Sequence, residues 1–189
     1  MRFVGVDPAT KTGVVILDEQ GNVIFENELK GEGRKIKGGI STEQLVSLEN
    51  QFYKIIKPAD EISIEQPAMG TQMGVTTGMI HGGLRSMIFR KGLAFWDVNP
   101  AWTKKYVKVT GWVVENGKKR RFKDNEKKKA MKDATLEHFG YTHKSDNVVD
   151  AYIIARIALN LYLMREYKPL LDTQTYQVEV LESILNKVE

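Results

Sequence analysis

At 189 residues the chain has room for one domain, or a domain with an appendage, and its 42% hydrophobic share is ordinary for a globular fold with a sizeable core. The absence of cysteine excludes disulfides and thiolate metal sites and suits a reducing cytoplasm. A net charge of +4 is mild, but it is unevenly spread.

The first elements form around Asp7. Arg2-Phe-Val-Gly-Val-Asp7 reads as a strand, Pro8–Lys11 as a tight loop, and Gly13–Leu17 as a second strand; Gly21–Leu29 adds a third, so an antiparallel meander is predicted. Phe3, Gly5 and Asp7 share one strand face, and Asp7 stands at the carboxyl end, where sheets of this kind place ligands. The apolar N-terminal run is broken by Asp7, so no signal-peptide pattern is expected, and no apolar stretch is expected to approach a membrane span.

After a Gly/Lys loop, Ser41 caps a predicted helix with the apolar stripe Leu45, Leu48, Phe52, Ile55 and Ile56, ended by Pro58. Glu61-Ile-Ser-Ile-Glu65 is a short strand that leaves Glu65 at its end, as Asp7 is; the helix between them predicts a parallel crossover. The segment Ala68–Gly78 leads into a predicted helix over 79–91. Leu93–Val98 reads as another strand, and Asn99-Pro100 opens a helix through Trp102 and Val107.

From Thr103 to Lys132 the charge changes character. Twelve Lys or Arg face only Glu115, Asp124 and Glu126, a net +9, which leaves the rest of the chain at −5. Candidate DNA-contacting residues here are Lys104, Lys105, Lys108, Trp112, Lys118, Lys119, Arg120, Arg121, Lys123, Lys127 and Lys128, with Trp112–Asn125 read as a basic loop. A helical period resumes at Ala130 and ends at Gly140. Ser145 or Asp146 caps a last apolar helix, on which Asp146 and Asp150 project from the same face. The tail from Pro169 carries Tyr176, Val180, Leu181, Ile184, Leu185 and Val188 at amphipathic spacing with an acidic outer face.

Asp7, Glu65, Asp146 and Asp150 thus stand at candidate site positions. Clustered carboxylates repel unless a cation neutralises them, and an all-oxygen set favours Mg²⁺ or Mn²⁺. Two such ions, roughly 4 Å apart, clamp both oxygens of a phosphodiester displacement. Each part has a plainer reading. Asp7 suits a turn, Glu65 an exposed strand end, Asp146 a default N-cap, the basic run a solvated surface, and Trp112 a packing anchor. Asp150 within an apolar helix is harder to dismiss.

Taken together, Val-Gly-Val-Asp7-Pro-Ala-Thr-Lys-Thr-Gly13, Ile-Ser-Ile-Glu65-Gln-Pro, Asn99-Pro through Lys-Val-Thr-Gly111, and Asp146-Asn-Val-Val-Asp150-Ala resemble the RuvC-type Holliday-junction resolvases of the ribonuclease H-like superfamily. The resemblance covers about residues 1–160. It implies an α/β fold, a five-stranded mixed sheet flanked by helices, to which the tail adds a C-terminal helix. The division expected is 1–165 as nuclease domain and 166–189 as a helical extension for packing or dimer contact. It implies a homodimeric, Mg²⁺-dependent endodeoxyribonuclease, with Mn²⁺ able to substitute, that nicks four-way DNA junctions in recombination and repair. Asp7, Glu65 and Asp150 map onto metal-binding acids, with Asp146 as a fourth candidate. Lys105 or Lys108, and Lys127 or Lys128, match lysines near the scissile phosphate; Lys105 and Lys128 are the catalytic candidates.

Three departures stand out. The last two acids are commonly three apart in bacterial members, which puts Asn147 rather than Asp146 in the third slot. The Trp112–Asn125 loop is longer and more basic than the family's equivalent. Met69 and Met73 stand where bacterial members carry a wedging aromatic, so a phage-type variant with relaxed selectivity is expected. Alternatives are a ribonuclease H acting on RNA–DNA hybrids and an inactive branched-DNA-binding protein. The opening meander also resembles actin-like ATPases and sugar kinases, which need a second domain that this length leaves no room for. None of His81, His138 and His143 is an expected catalytic base.

Overall fold

The computed structural model describes residues 1–67, 74–115 and 117–187. It opens with the predicted meander: β1 (Arg2–Asp7), β2 (Lys11–Leu17) and β3 (Val23–Lys30), paired antiparallel. Helix α1 (Thr42–Ile55) starts at a Ser41–Gln44 capping box and crosses over to β4 (Asp60–Glu65), parallel to β1. A second crossover through α2 (Gly74–Arg90) lays β5 (Trp96–Val98) parallel to β4. The strand order β3-β2-β1-β4-β5 is a five-stranded mixed sheet with helices on both faces, a ribonuclease H-like fold.

Strand alternation assigns the two faces. Val4, Val6, Val14, Ile16, Ile62 and Ile64 pack under α1 and α2 against Leu48, Phe52, Ile80 and Leu84. The odd positions Phe3, Val15 and Leu17 face α5 (Asp146–Arg165) through Val148, Ala151, Tyr152 and Ala155. Gly5 and Gly13 lie on that same face. A Cβ at Gly5 would meet the Ala151 carbonyl oxygen at 2.0 Å, and one at Gly13 would meet that of Asn147 at 2.0 Å. The helix backbone therefore lies directly on the meander, which only glycine at these two positions permits.

Between sheet and tail come α3 (Pro100–Tyr106), β6 (Trp112–Glu115), β7 (Lys118–Arg121) and α4 (Asp124–Phe139), which ends at Gly140 with φ 65°. Helix α6 (Thr175–Leu185) buries Val180, Leu181 and Ile184 against Tyr106, Ile153 and Ile157, on the stripe read from the sequence. Just before it, buried Asp172 accepts from Tyr106 Oη at 2.9 Å and Asn160 Nδ2 at 2.8 Å, and pairs with Arg156. That network pins the tail to α3 and α5.

Several expectations are corrected. Helix α2 begins at Gly74 rather than Met79, and β5 at Trp96 rather than Leu93. The basic stretch expected as a loop is instead a hairpin, β6–β7, with Trp112 opposite Arg121 and Glu115 opposite Lys118. Helix α5 is long and apolar enough by composition to cross a membrane, contrary to the expectation that no stretch approaches a span. Its apolarity has another cause: its residues are 67% buried over the apolar window, because it is the core helix of the domain. Met69, Met73 and Val188 lie outside the described residues.

Gly5→Ala is expected to lower stability by about 3 kcal/mol, the scale of overpacking against backbone that cannot yield. Urea unfolding checks this. A Gly82→Ala control, where a Cβ meets nothing within 4 Å, is expected to hold or raise stability.

Candidate active site

The parallel pairing of β1 and β4, with Val6 opposite Ile64, ends both strands together. Asp7 and Glu65 are each the residue after that pair, so their side chains emerge side by side, on the α5 face. The two carboxyls lie close enough for each to shift the pKa of the other. Asp150 comes from α5. It lies one residue before Ala151, whose carbonyl sits over Gly5, and three after Asn147, whose carbonyl sits over Gly13. The two glycine contacts thus fix Asp150 beside the strand ends.

The electrostatics follow from burial. Asp7 is 7% exposed and its pKa is pushed well above the usual carboxylate range, by desolvation first and then by Glu65 and Asp150. Desolvation and then the charge of Asp150 raise Glu65 to about 7. Desolvation raises Asp150 to about 6, with Lys127 pulling the other way. Such a trio keeps protons near neutral pH that isolated carboxyls would have lost. Among the described residues, no three acidic or imidazole groups close into a ready-made metal cage. The donor set itself is carboxylate oxygen throughout, the chemistry of a hard divalent cation.

The remaining predicted residues divide. Asp146 is held by Lys128 at 2.9 Å and Lys132 at 2.8 Å; against the burial that raises its pKa, these bonds hold it below the usual value. Asn147 Nδ2 donates to the Lys11 carbonyl at 2.6 Å, which makes Asn147 a tether between α5 and the β1–β2 turn. Lys105, one of the two catalytic candidates, pairs with Glu179 of α6 at 2.6 Å, and Lys128, the other, is spent on Asp146. Lys104 and Lys127 act on both Glu65 and Asp150, and Lys128 acts on Asp150 as well. Burial and then the neighbouring Lys127 charge lower the Lys104 pKa. One helical position decides this: Lys104 turns inward from α3 and Lys105 outward toward α6.

Lys127 and Lys128 border a cavity of about 290 Å³ between α4 and α5, with Asp146, Asn147 and Asp150 on its far wall. Of the other basic candidates, Arg120 is committed to Glu126, with Nη1 and Nη2 donating at 2.7 and 2.8 Å, and to Glu115. It draws the Glu126 carboxyl down to about 2. Lys123 precedes α4 and its backbone N–H donates to Glu126 at 2.8 Å. Lys108 lies over the Tyr176 ring, with Nζ 5.9 Å from its centroid. Lys118, Lys119 and Arg121 lie on the hairpin with Trp112.

Behind Glu65 lies a cluster that sequence reasoning missed. Arg85 of α2 donates to the Glu65 carbonyl at 3.0 Å, pairs with Asp97 of β5 at 2.5 Å, and lies over Phe95. His81, one helical turn earlier, is buried with Nδ1 unpartnered, and burial and then Arg85 lower its pKa to about 4. Neutral His81 and cationic Arg85 brace the end of β4. The signal was the i, i+4 spacing of His81 and Arg85, which gains meaning only once Asp97 is placed beside them.

No family model matches the sequence, and no curated protein matches it closely enough to count as a relative. Among solved structures, the chain is similar to Thermus thermophilus RuvC in complex with a Holliday junction substrate, with a TM-score of 0.61 at 13% identity, covering 88% of this chain and 96% of that one. A second Thermus thermophilus RuvC structure is matched with a TM-score of 0.56 at 16% identity, covering 89% of this chain and 98% of the other. The chain has a RuvC-like fold.

Because the folded pKa values of Asp7, Glu65 and Asp150 exceed those of the unfolded chain, the folded state holds extra protons from about pH 3.8 up to about 7. Their contribution to stability is full below the unfolded pKa and is lost as pH rises through the folded values. In chelator, the thermal midpoint is expected to fall with rising pH across this window by a few degrees more than in Asp150→Asn. Mg²⁺ is expected to raise the wild-type midpoint more at pH 8 than at pH 5. A pH slope identical in the two proteins would remove the coupled trio.

Proposed function

We propose that this protein is a metal-dependent, structure-selective DNA endonuclease that nicks four-way junctions and other branched DNA by phosphodiester hydrolysis. The observation that carries the reading is the meeting of Asp7, Glu65 and Asp150 at one sheet end, rimmed by Lys104 and Lys127, in a chain of RuvC-like fold. The likeness to a RuvC seen with a Holliday junction supports branched DNA as the substrate class.

Asp7, Glu65 and Asp150 would hold the divalent cation, Mg²⁺ or Mn²⁺, which when bound activates water and neutralises charge on the phosphate. The chain's own part is positional. Lys104 and Lys127 present ammonium groups to the non-bridging oxygens of a phosphate lying across the acids. Burial of Lys104 strengthens that attraction, because the charge is partly withdrawn from water. Asn147 holds the turn after Asp7 against α5, and Arg85 holds the carbonyl of Glu65, so neither acid drifts as substrate enters. Asp146, paired with Lys128 and Lys132, fixes α4 to α5 and with it the position of Lys127. A four-way junction presents two equivalent strands, so the working unit in this reading is a homodimer with one acidic site per strand.

The test is cleavage of labelled four-way and three-way junctions, flap, duplex, single strand and RNA–DNA hybrid in Mg²⁺ and in Mn²⁺. Symmetric nicks in the four-way junction are expected. Asp7→Asn and Asp150→Asn are expected to slow them by about a hundredfold or more, the scale of losing one preorganised charge-stabilising group. Lys104→Ala is expected to cost more than Lys105→Ala. Cutting of the hybrid alone would make the protein a ribonuclease H; binding without cutting in either metal would make it a branched-DNA-binding protein.

A further inference from the structure

The β6–β7 hairpin has two faces that do different things. Residues directly opposite in an antiparallel pair share a face, so Trp112, Val114, Lys119 and Arg121 lie on one side and Val113, Glu115, Lys118 and Arg120 on the other. The second side is locked down. Arg120 joins Glu115 on the hairpin to both carboxylate oxygens of Glu126 on α4, and Phe122 N–H donates to the Gly111 carbonyl at 3.0 Å, closing the base of the hairpin. The first side is left open: Trp112 is 50% exposed and Val114 64%. The Arg121 guanidinium lies 5.3 Å from the centroid of the Trp112 ring, a contact that orients the indole while half of the residue stays exposed.

An exposed Trp and Val contribute little to folding, and Lys119 beside them is a residue type that protein-binding interfaces are depleted in. Aromatic ring plus basic side chains on a rigid ribbon is the chemistry of base stacking with phosphate contact. The placement agrees. The hairpin springs from the end of α3 and returns to the start of α4, the two helices that carry Lys104 and Lys127 to the acids. Clefts lined by Lys104, Lys105 and Lys108 and by Trp112, Val114 and Lys119 meet at Thr110. Lys104, which acts on Glu65 and Asp150, lines the first of these clefts, so basic side chains extend from the rim of the acidic site toward the indole.

We propose that this hairpin is a DNA-reading finger: Trp112 stacks on an unpaired base at a branch point, while Lys119 and Arg121 hold the flanking phosphates of the strand that reaches the acidic site. The proposal rests on the endonuclease reading, but it concerns recognition and can fail or stand separately from it.

The experiment uses the full chain carrying Asp7→Asn, so that DNA is bound without being cut. Substrates are a perfect duplex, the same duplex with one bulged 2-aminopurine, and a four-way junction with 2-aminopurine at the branch point. Binding is read by anisotropy and stacking by 2-aminopurine quenching. The chain is expected to prefer the bulge over the duplex by about tenfold and to quench the probe, as one base–aromatic stack supplies. Trp112→Ala is expected to lose both the preference and the quenching, with a smaller change on duplex; Trp112→Phe is expected to keep most of each. Lys119→Ala with Arg121→Ala is expected to weaken all substrates and shallow the salt slope by about two phosphates' worth.

Undiminished quenching and preference in Trp112→Ala would overturn the proposal. So would a Trp112→Ala effect on sedimentation with none on DNA, which would assign the hairpin to contact between copies. Junction cleavage by the Asp7 chain, measured in parallel, separates the two readings. Cleavage that ignores the hairpin leaves the nuclease and removes the finger. Trp112-dependent bulge binding without cleavage of any substrate leaves the finger and removes the nuclease.

Discussion

The contact on which the rest depends is backbone against backbone: α5 lying on β1 and β2 where Gly5 and Gly13 remove the Cβ atoms that would hold it off. At that distance the helix cannot rotate or slide without collision, so its side chains have fixed addresses relative to the strand ends. Asp150 takes its address between the two contacts. Asn147 adds a hydrogen bond to the Lys11 carbonyl at the same place. Packing chosen for closeness thereby sets the geometry of a charged site, and the cost of three buried acids is met by the rigid core beneath them.

That cost is also the source of the site's chemistry. A fold selected only for stability would not gather Asp7, Glu65 and Asp150 in one desolvated corner, where Glu65 and Asp150 raise the pKa of Asp7 and Asp150 raises that of Glu65. The lysines offset part of it without cancelling it. Lys104 and Lys127 act on Glu65 and Asp150, Lys128 divides between Asp150 and Asp146, Lys132 pairs with Asp146, and Lys105 pairs with Glu179. The crowding of the three acids is what a divalent cation would relieve, and the surplus positive charge on the rim and hairpin is what phosphate would relieve. The two imbalances adjoin, as a phosphoryl-handling site requires.

The strands that carry the acids were legible in the sequence because alternation is local: a short apolar run ending in Asp7 or Glu65 shows which way each carboxylate points. Asp150 was legible through the cost of a lone acid in an apolar helix. The lysines were not, since adjacent Lys104 and Lys105 differ only by a helical rotation that tertiary packing sets. The hairpin carried its own signal, Asn116-Gly117 between Val113-Val114 and the basic run, but the density of charge masked it as a loop. Arg85, Asp97 and Asp172 are contacts across elements far apart in the chain, and no local pattern announces them. Helix α5 shows the reverse error: composition fit for a membrane arose from burial in the core of the domain.

The most direct test of the account is a count of bound Mn²⁺ by electron paramagnetic resonance, with wild type, Asp7→Asn, Asp150→Asn and Asp146→Asn compared at pH 7.5. The geometry that unites Asp7, Glu65 and Asp150 and turns Asp146 toward Lys128 and Lys132 predicts saturable binding in the wild type. It predicts about a tenfold or larger loss in the first two variants, the cost of losing one charge-assisted ligand contact, and a much smaller loss in Asp146→Asn. Equal loss from Asp146→Asn, or no saturable binding in the wild type, would contradict it.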